Sequence, residues 1–155
     1  MEKGVFDTPE YPVYPSPLKE PYRSQRFGVG ETMYAALGIP REDKPARLKW
    51  FANNFQFFGA PVAAFLYTDR DMGAAQWSDL GGYLANVMLL LEEAGLGSCP
   101  QECWVVQNKF VSDFIGVPAA EMLFAGVAIG VPDAAHPVNG FMTARAETDV
   151  WLREA

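Results

Sequence analysis

Cys99 and Cys103 stand four residues apart, and His136 is the only histidine of the chain. A structural zinc needs four ligands, usually in two paired clusters, and these three residues cannot complete such a set, so no metal site is expected. A cysteine nucleophile would need His136 beside one of the thiols, whereas Ala134–Pro137 reads as a surface loop carrying an ordinary histidine. Gly28 and Gly30 have the spacing of a phosphate loop, yet no strand precedes them and no further glycine or Lys-Ser/Thr pair follows.

Leu96–Trp104 is the most informative segment, because it joins a flexible exit, a proline and a carboxylate directly after a long apolar helix. Such a loop can present backbone N–H and C=O groups edge-on to a heterocycle. Trp77, Trp104, Phe51, Phe55, Phe57 and Phe58 form an aromatic set that fits either core packing or a pocket for a flat substrate. Gly81 and Gly82 inside the helix cost roughly 1 kcal/mol each relative to alanine, which suggests close approach of another backbone or of a flat ligand.

The elements that must position these residues follow from periodicity and punctuation. Prolines at 9, 12, 15, 17 and 21 predict an extended arm over residues 8–22, whose Tyr11, Tyr14 and Tyr22 should lie on its own or a partner's surface. Short helices are predicted over Glu31–Leu37, from about Pro40 to Phe55, and over Gln107–Ile115. Val62–Thr68 and Met122–Gly130 read as buried strands. Ala75–Ala94 is the strongest helix, apolar around most of its circumference, as a helix central to a core or a subunit interface would be. Residues 142–152 should form a last strand or arm. This order predicts an α+β or α/β layer fold in one domain, without repeats.

Composition bounds the function classes. Half of the 155 residues are apolar and 20% are charged, which excludes a disordered chain. The longest apolar runs, Val62–Tyr67, Val87–Leu91 and Met122–Val131, are shorter than the roughly 20 residues of a membrane span, so no membrane is expected. The net charge of −7 repels phosphate backbones, and the small basic cluster Lys44, Arg47 and Lys49 sits beside Glu42 and Asp43; no nucleic acid is expected. Met1–Asp7 lacks the apolar run of a secretory leader, and two cysteines make no disulfide framework, so the cytoplasm is the expected compartment.

Taken in order, Tyr22–Glu31, Phe57–Val62, Gly95–Glu102, Met122–Gly130 with Pro132 and Asp133, Pro137–Asn139, and Arg145 resemble the FMN-dependent nitroreductase family, in its nitrobenzoate-reductase-like branch. The resemblance runs from about Pro15 to Trp151. It implies an α+β nitroreductase-like fold, a mixed sheet flanked by helices with a long central dimer-interface helix. Residues 1–155 would be one domain, with 1–22 as arm and 23–155 as core. It also implies a homodimer with FMN at the subunit interface and ping-pong chemistry, in which NAD(P)H reduces flavin N5 and the flavin reduces a flat nitroaromatic or quinone-like acceptor.

By this resemblance Pro100, Gln101 and Glu102 lie against the flavin ring, a backbone N–H at Glu102 facing N5, and Arg145 pairs with the FMN phosphate. Phe51, Phe55 and Phe58 are expected on the acceptor side, and no side chain acts as a catalytic group. The family pattern opens with an arginine-rich phosphate-binding segment and a Pro-Ser-x-x-Asn-x-Gln-Pro-Trp segment. This chain carries neither, starting where about the first third of that pattern is already complete, and Met142 stands at a second basic position. Two functions are therefore expected in competition: a flavin-dependent oxidoreductase, and a non-catalytic dimerisation or binding module that has lost flavin.

Overall fold

The structure is a computed structural model, and it describes residues 6–152. Residues 1–5 of the predicted arm, and with them most of the leader reading, lie outside the described residues. The chain divides into two compact units, Leu48–Pro132 with the arm up to Pro17, and Leu18–Arg47 with the chain from Asp133 on.

The first unit is built on three strands, β1 (Val62–Asp69), β2 (Gly97–Gln101) and β3 (Glu121–Gly130), in the order β1-β3-β2. Both pairings are antiparallel. The α+β class stands, but the sheet is antiparallel throughout the described residues and not mixed. The predicted loop at Leu96–Trp104 is in fact β2 as far as Gln101. Pro100 hid it, and the position is allowed because β2 is an edge strand, where a missing N–H costs no ladder bond.

Central β3 is buried along most of its length, with Leu123 and Val127 each 1% exposed. A bulge shifts its register: Leu66 opposes Ala125 while Tyr67 opposes Leu123, leaving Phe124 as the extra residue. Because side chains alternate along a strand, the extra residue reverses the parity. Leu123 therefore joins Trp104 and Val111 in the core on one face, with Phe65 and Tyr67 packed against them.

Trp104 fills that face. Phe57 stacks on it at 4.7 Å, and Phe55 and Phe65 meet it edge-on at 5.3 and 5.2 Å. The indole fits because residue 126 is glycine: a Cβ there would lie 2.5 Å from Trp104 Cδ1. Trp104 belongs to a 3-10 turn over Glu102–Gln107, followed by α4 (Asn108–Ile115).

The opposite face is covered in part by the arm. The Tyr11 ring lies 4.9 Å edge-on to Trp77 and 6.2 Å from Phe124, and its hydroxyl donates to the Phe124 carbonyl at the bulge. Asp7 caps α4 from a distance of about a hundred residues, accepting from the N–H groups of Lys109 and Phe110 at 2.9 and 3.4 Å, while the Asn108 amide donates to the Thr8 carbonyl at 3.0 Å. Glu10 pairs with Arg70. As far as Pro17 the arm therefore lies on its own unit, whereas Leu18–Pro21 belong to the second unit and Tyr22, predicted as part of the arm, opens a helix there.

The long helix α3 spans Ala74–Glu93, one residue from its predicted bounds, and the Gln76 side chain accepts from the Gly73 N–H at its start. No residue of α3 is buried, and a Cβ at Gly81 or Gly82 would meet nothing within 4 Å, so among the described residues nothing makes the close approach suggested by those glycines. Among the described residues no helix is long and apolar enough to cross a membrane.

The second unit holds α1 (Tyr22–Ala36), which starts nine residues before the predicted Glu31 because Glu20 accepts from the N–H and hydroxyl of Ser24. Gly28 and Gly30 lie inside this helix, where they weakened its signal. Arg47 grips Glu31 bidentately at 2.6 and 3.2 Å, stands 4.1 Å over the Tyr34 ring, and its hydrogen bond holds the Glu31 carboxyl below the usual range. Helix α2 (Lys44–Ala52) begins here and continues into the first unit, capped by Asp43, which accepts from the Ala46 N–H at 2.9 Å. The tail carries a 3-10 turn at Pro137–Asn139 and a short α5 (Thr148–Trp151) where a strand or arm was predicted.

Gly126→Ala should destabilise the fold by about 1–3 kcal/mol in urea denaturation, since the buried indole cannot retreat; an unchanged midpoint would mean that Trp104 is not the centre of the core. Burial first, and then the nearby Glu102 charge, push the Tyr11 phenol up to about 12. A raised phenol pKa favours the neutral folded form, so this contribution is complete below a free phenol's pKa of about 10 and is lost as pH rises toward about 12. Stability measured from pH 9 to 12 should fall in that window, and Tyr11→Phe should flatten the fall.

Candidate functional site

The candidate site grows from the end of β2. Gln101 is extended (φ −135°, ψ 94°), and the chain turns from it directly into the 3-10 helix at Glu102. A helical turn leaves its first N–H groups without intrahelical partners, and no side chain caps this one. Pro100 and Glu102 are exposed on either side of Gln101, which is 3% exposed.

The Gln101 side chain is committed to the interior. Its Nε2 donates to the Asn54 carbonyl at 2.9 Å and to Asn54 Oδ1 at 3.2 Å, and its Oε1 accepts from Trp104 Nε1 at 3.3 Å. Every polar atom of that amide faces protein, so only the backbone of Gln101 is left to meet a ligand. Asn54 in turn donates to the Phe51 carbonyl at 2.8 Å. A hydrogen-bonded path thus links the 100–102 turn to the aromatic segment before β1.

That segment carries the predicted acceptor-side residues. Phe55 packs on Trp104, and Phe51 meets Phe55 edge-on at 6.1 Å; Phe58 pairs instead with Trp50 at 5.6 Å. Phe51 and Phe58 are 44% and 42% exposed. Phe57 and Phe58 both adopt the left-handed conformation (φ 49° and 53°), which disfavours bulky residues. The stack of Phe57 on Trp104 offsets part of that cost, and the two positions send one ring into the core and the other outward.

Thus Pro100, Gln101, Glu102, Phe51, Phe55 and Phe58 belong to one unit, and Arg145 belongs to the other. The Arg145 guanidinium donates to the Thr143 carbonyl at 3.2 Å and also to the Thr143 hydroxyl. Sequence reasoning missed Asn54, and it expected Tyr11 on a surface without identifying its partners. Asn54 carried one signal, an Asn-Asn pair inside an aromatic run; Tyr11 carried none beyond its place in the arm, because its contacts are to residues more than sixty positions away.

Cys99 and Cys103 are free thiols. Burial pushes Cys99 up and, with the neighbouring Cys99 next in weight, Cys103 up to about 11. Both shifts disfavour the thiolate, the form in which a cysteine acts as a nucleophile.

Comparison with known proteins sets this geometry in a family. The Nitroreductase family profile matches residues 19–131. The nitrobenzene nitroreductase of Ectopseudomonas oleovorans is 33% identical over 141 residues, covering 91% of this chain and 62% of its own. The chain therefore spans about three-fifths of the length of that relative. The crystal structure of the FMN and NADPH-dependent nitroreductase NfnB from sphigopyxis sp. strain HMH is 47% identical with a TM-score of 0.94, over 97% of this chain and 67% of that one. The FMN-dependent nitroreductase NfnB from Mycobacterium smegmatis, in complex with NADPH, is 28% identical with a TM-score of 0.90, over 96% and 67%. On a profile that covers most of its length, the chain belongs to the nitroreductase family.

Proposed function

We propose that this chain is the flavin-bearing part of an FMN-dependent NAD(P)H oxidoreductase that reduces nitroaromatic or quinone-like acceptors in ping-pong fashion. The likeness to the 47% identical FMN and NADPH-dependent nitroreductase supports this reading most directly, since it extends over 97% of the chain. The family match crosses both compact units, which supports treating residues 1–155 as one nitroreductase-like domain with 1–22 as its arm.

The residues at the 100–102 turn suit a flavin edge. The chain leaves an edge strand at Gln101 and presents the uncapped N–H groups of a helical turn beside an exposed proline. FMN, when bound, supplies the hydride chemistry at its N5. What the chain supplies is a fixed donor at Glu102, where a backbone N–H stabilises negative charge without any acid side chain. Gln101 holds that turn in place through Trp104 and Asn54, so the donor costs no reorganisation on binding. Arg145 would hold the phosphate by charge-assisted hydrogen bonds, exchanging its contacts with Thr143. Phe51 and Phe58 offer exposed aromatic faces for a flat acceptor, with Phe55 bracing Phe51 against the core.

The homodimer belongs to the same reading. Tyr83, Leu89 and Leu90 are 60–68% exposed on α3, and Gly82 lets another helix come close. A cytoplasmic setting, in which Cys99 and Cys103 stay reduced, completes it.

The test is a flavin titration followed by visible absorbance and thermal melting. The protein should bind FMN and melt higher with excess flavin. Arg145→Ala should weaken binding about 10- to 100-fold, the worth of one hydrogen bond to a charged group. Glu102→Pro should also weaken it by removing the backbone donor, in a position where proline suits a helical first turn. Unchanged titrations for both variants would remove the site assignment. A colourless, well-folded dimer with no thermal response to FMN would favour the non-catalytic module instead.

A further inference from the structure

Asn54 joins the two stretches of chain from which the proposed site is built. Its backbone carbonyl and its Oδ1 both accept from Gln101 Nε2, at 2.9 and 3.2 Å, while its Nδ2 donates to the Phe51 carbonyl at 2.8 Å. One half-buried side chain therefore commits its acceptor to the 100–102 turn and a donor to residue 51.

The contacts close into a ring. Gln101 Oε1 accepts from Trp104 Nε1 at 3.3 Å, Phe55 meets Trp104 edge-on at 5.3 Å, and Phe51 meets Phe55 edge-on at 6.1 Å. Phe51 is thus held from two sides, its ring by Phe55 and its carbonyl by Asn54. The segment needs such a tie, because Gln56, Phe57 and Phe58 depart from helical dihedrals inside the 3-10 turn over Asn53–Gly59. Aromatic pairs are favourable over centroid separations of roughly 4.5–7 Å and so tolerate sliding, whereas a hydrogen bond fixes distance and direction. The Asn54 amide, more than the ring of Phe55, decides where Phe51 stands relative to the turn.

The two links of Asn54 are separable. Its backbone carbonyl keeps the bond to Gln101 whatever side chain stands at position 54, so the 100–102 turn stays tied. The link to Phe51 depends on the amide alone. An ionised aspartate at this position would preserve an acceptor for Gln101 Nε2 but set an oxygen against the Phe51 carbonyl, with no proton between them.

We propose that Asn54 is a positioning residue for acceptor selection: its amide fixes Phe51, 44% exposed, relative to the 100–102 turn, and thereby favours acceptors with a flat aromatic face. The proposal deepens the reading given above and rests on it, since Asn54 acts only through Phe51.

Nitrobenzene is the probe, titrated into oxidised, FMN-saturated protein without NAD(P)H, so that binding is read with no turnover from the amide chemical shifts of Phe51 and Phe55. Asn54→Ala and Asn54→Asp should each raise its Kd about 2- to 10-fold, the worth of one hydrogen bond, with the Kd for FMN and the circular dichroism unchanged. In steady state the KM for nitrobenzene should rise, while the KM for NADPH and the rate of reoxidation by dioxygen, which needs no aromatic face, stay the same. Phe51→Ala should also weaken nitrobenzene, and adding Asn54→Ala to it should cost nothing more. The proposal is overturned by Asn54→Asp behaving like the unsubstituted protein, by an Asn54→Ala effect that persists in full beside Phe51→Ala, or by an equal loss of FMN affinity. Each of those results leaves the flavin reading standing. Failure of the unsubstituted protein to bind FMN, or of its Phe51 shifts to respond to nitrobenzene, removes that reading and this proposal with it.

Discussion

The seat of Trp104 over Gly126 is the contact on which the rest of the first unit depends. The indole needs the space a Cβ would occupy, and it gathers Phe55, Phe57, Phe65, Val111 and Leu123 around itself. Its one polar atom reaches Gln101, whose amide reaches Asn54. A buried amide satisfied on every side resists displacement, because moving it would strand donors and acceptors away from water. The turn at residues 100–102 is therefore as rigid as the core that carries it, although it lies at the edge of the sheet. The left-handed Phe57 and Phe58 belong to the same constraint, since the stack on Trp104 holds a conformation the chain would otherwise avoid.

The arm extends this rigidity to the other face. A phenol from residue 11 meets the carbonyl exposed by the β3 bulge, and a carboxylate from residue 7 meets the leading N–H groups of α4. Each of these backbone groups would otherwise lie at a ladder break or a helix end. The same phenol feels the charge of Glu102, so the arm shares an electrostatic environment with the turn proposed to face flavin.

Helix α3 stands in contrast. It is long, apolar and without a buried residue. Its two stripes face different surroundings, one toward a groove with the sheet and the other toward solvent. Apolar surface of this extent is costly in water, which is why the proposed dimer converges on this element.

Periodicity located α3 almost to the residue and placed β1 and β3 within a residue of their ends, because long apolar runs and clean alternation are local signals. The ordered motifs from Tyr22 to Arg145 were enough to point to the family and to the 100–102 turn. β2 was illegible, since its proline reads as a loop unless its edge position is known. The early start of α1 was masked by two glycines that helix packing tolerates. The division of labour among the phenylalanines was decided only in three dimensions: nothing in their spacing separates Phe57, which enters the core, from Phe58, which leaves it. The role of Gln101 as an internal brace and the reach of Tyr11 and Asp7 across the unit were likewise tertiary facts. Side-chain pairing across a hundred residues leaves no periodic trace in the sequence, whereas the pattern that makes a helix or a strand is written within a single turn of it.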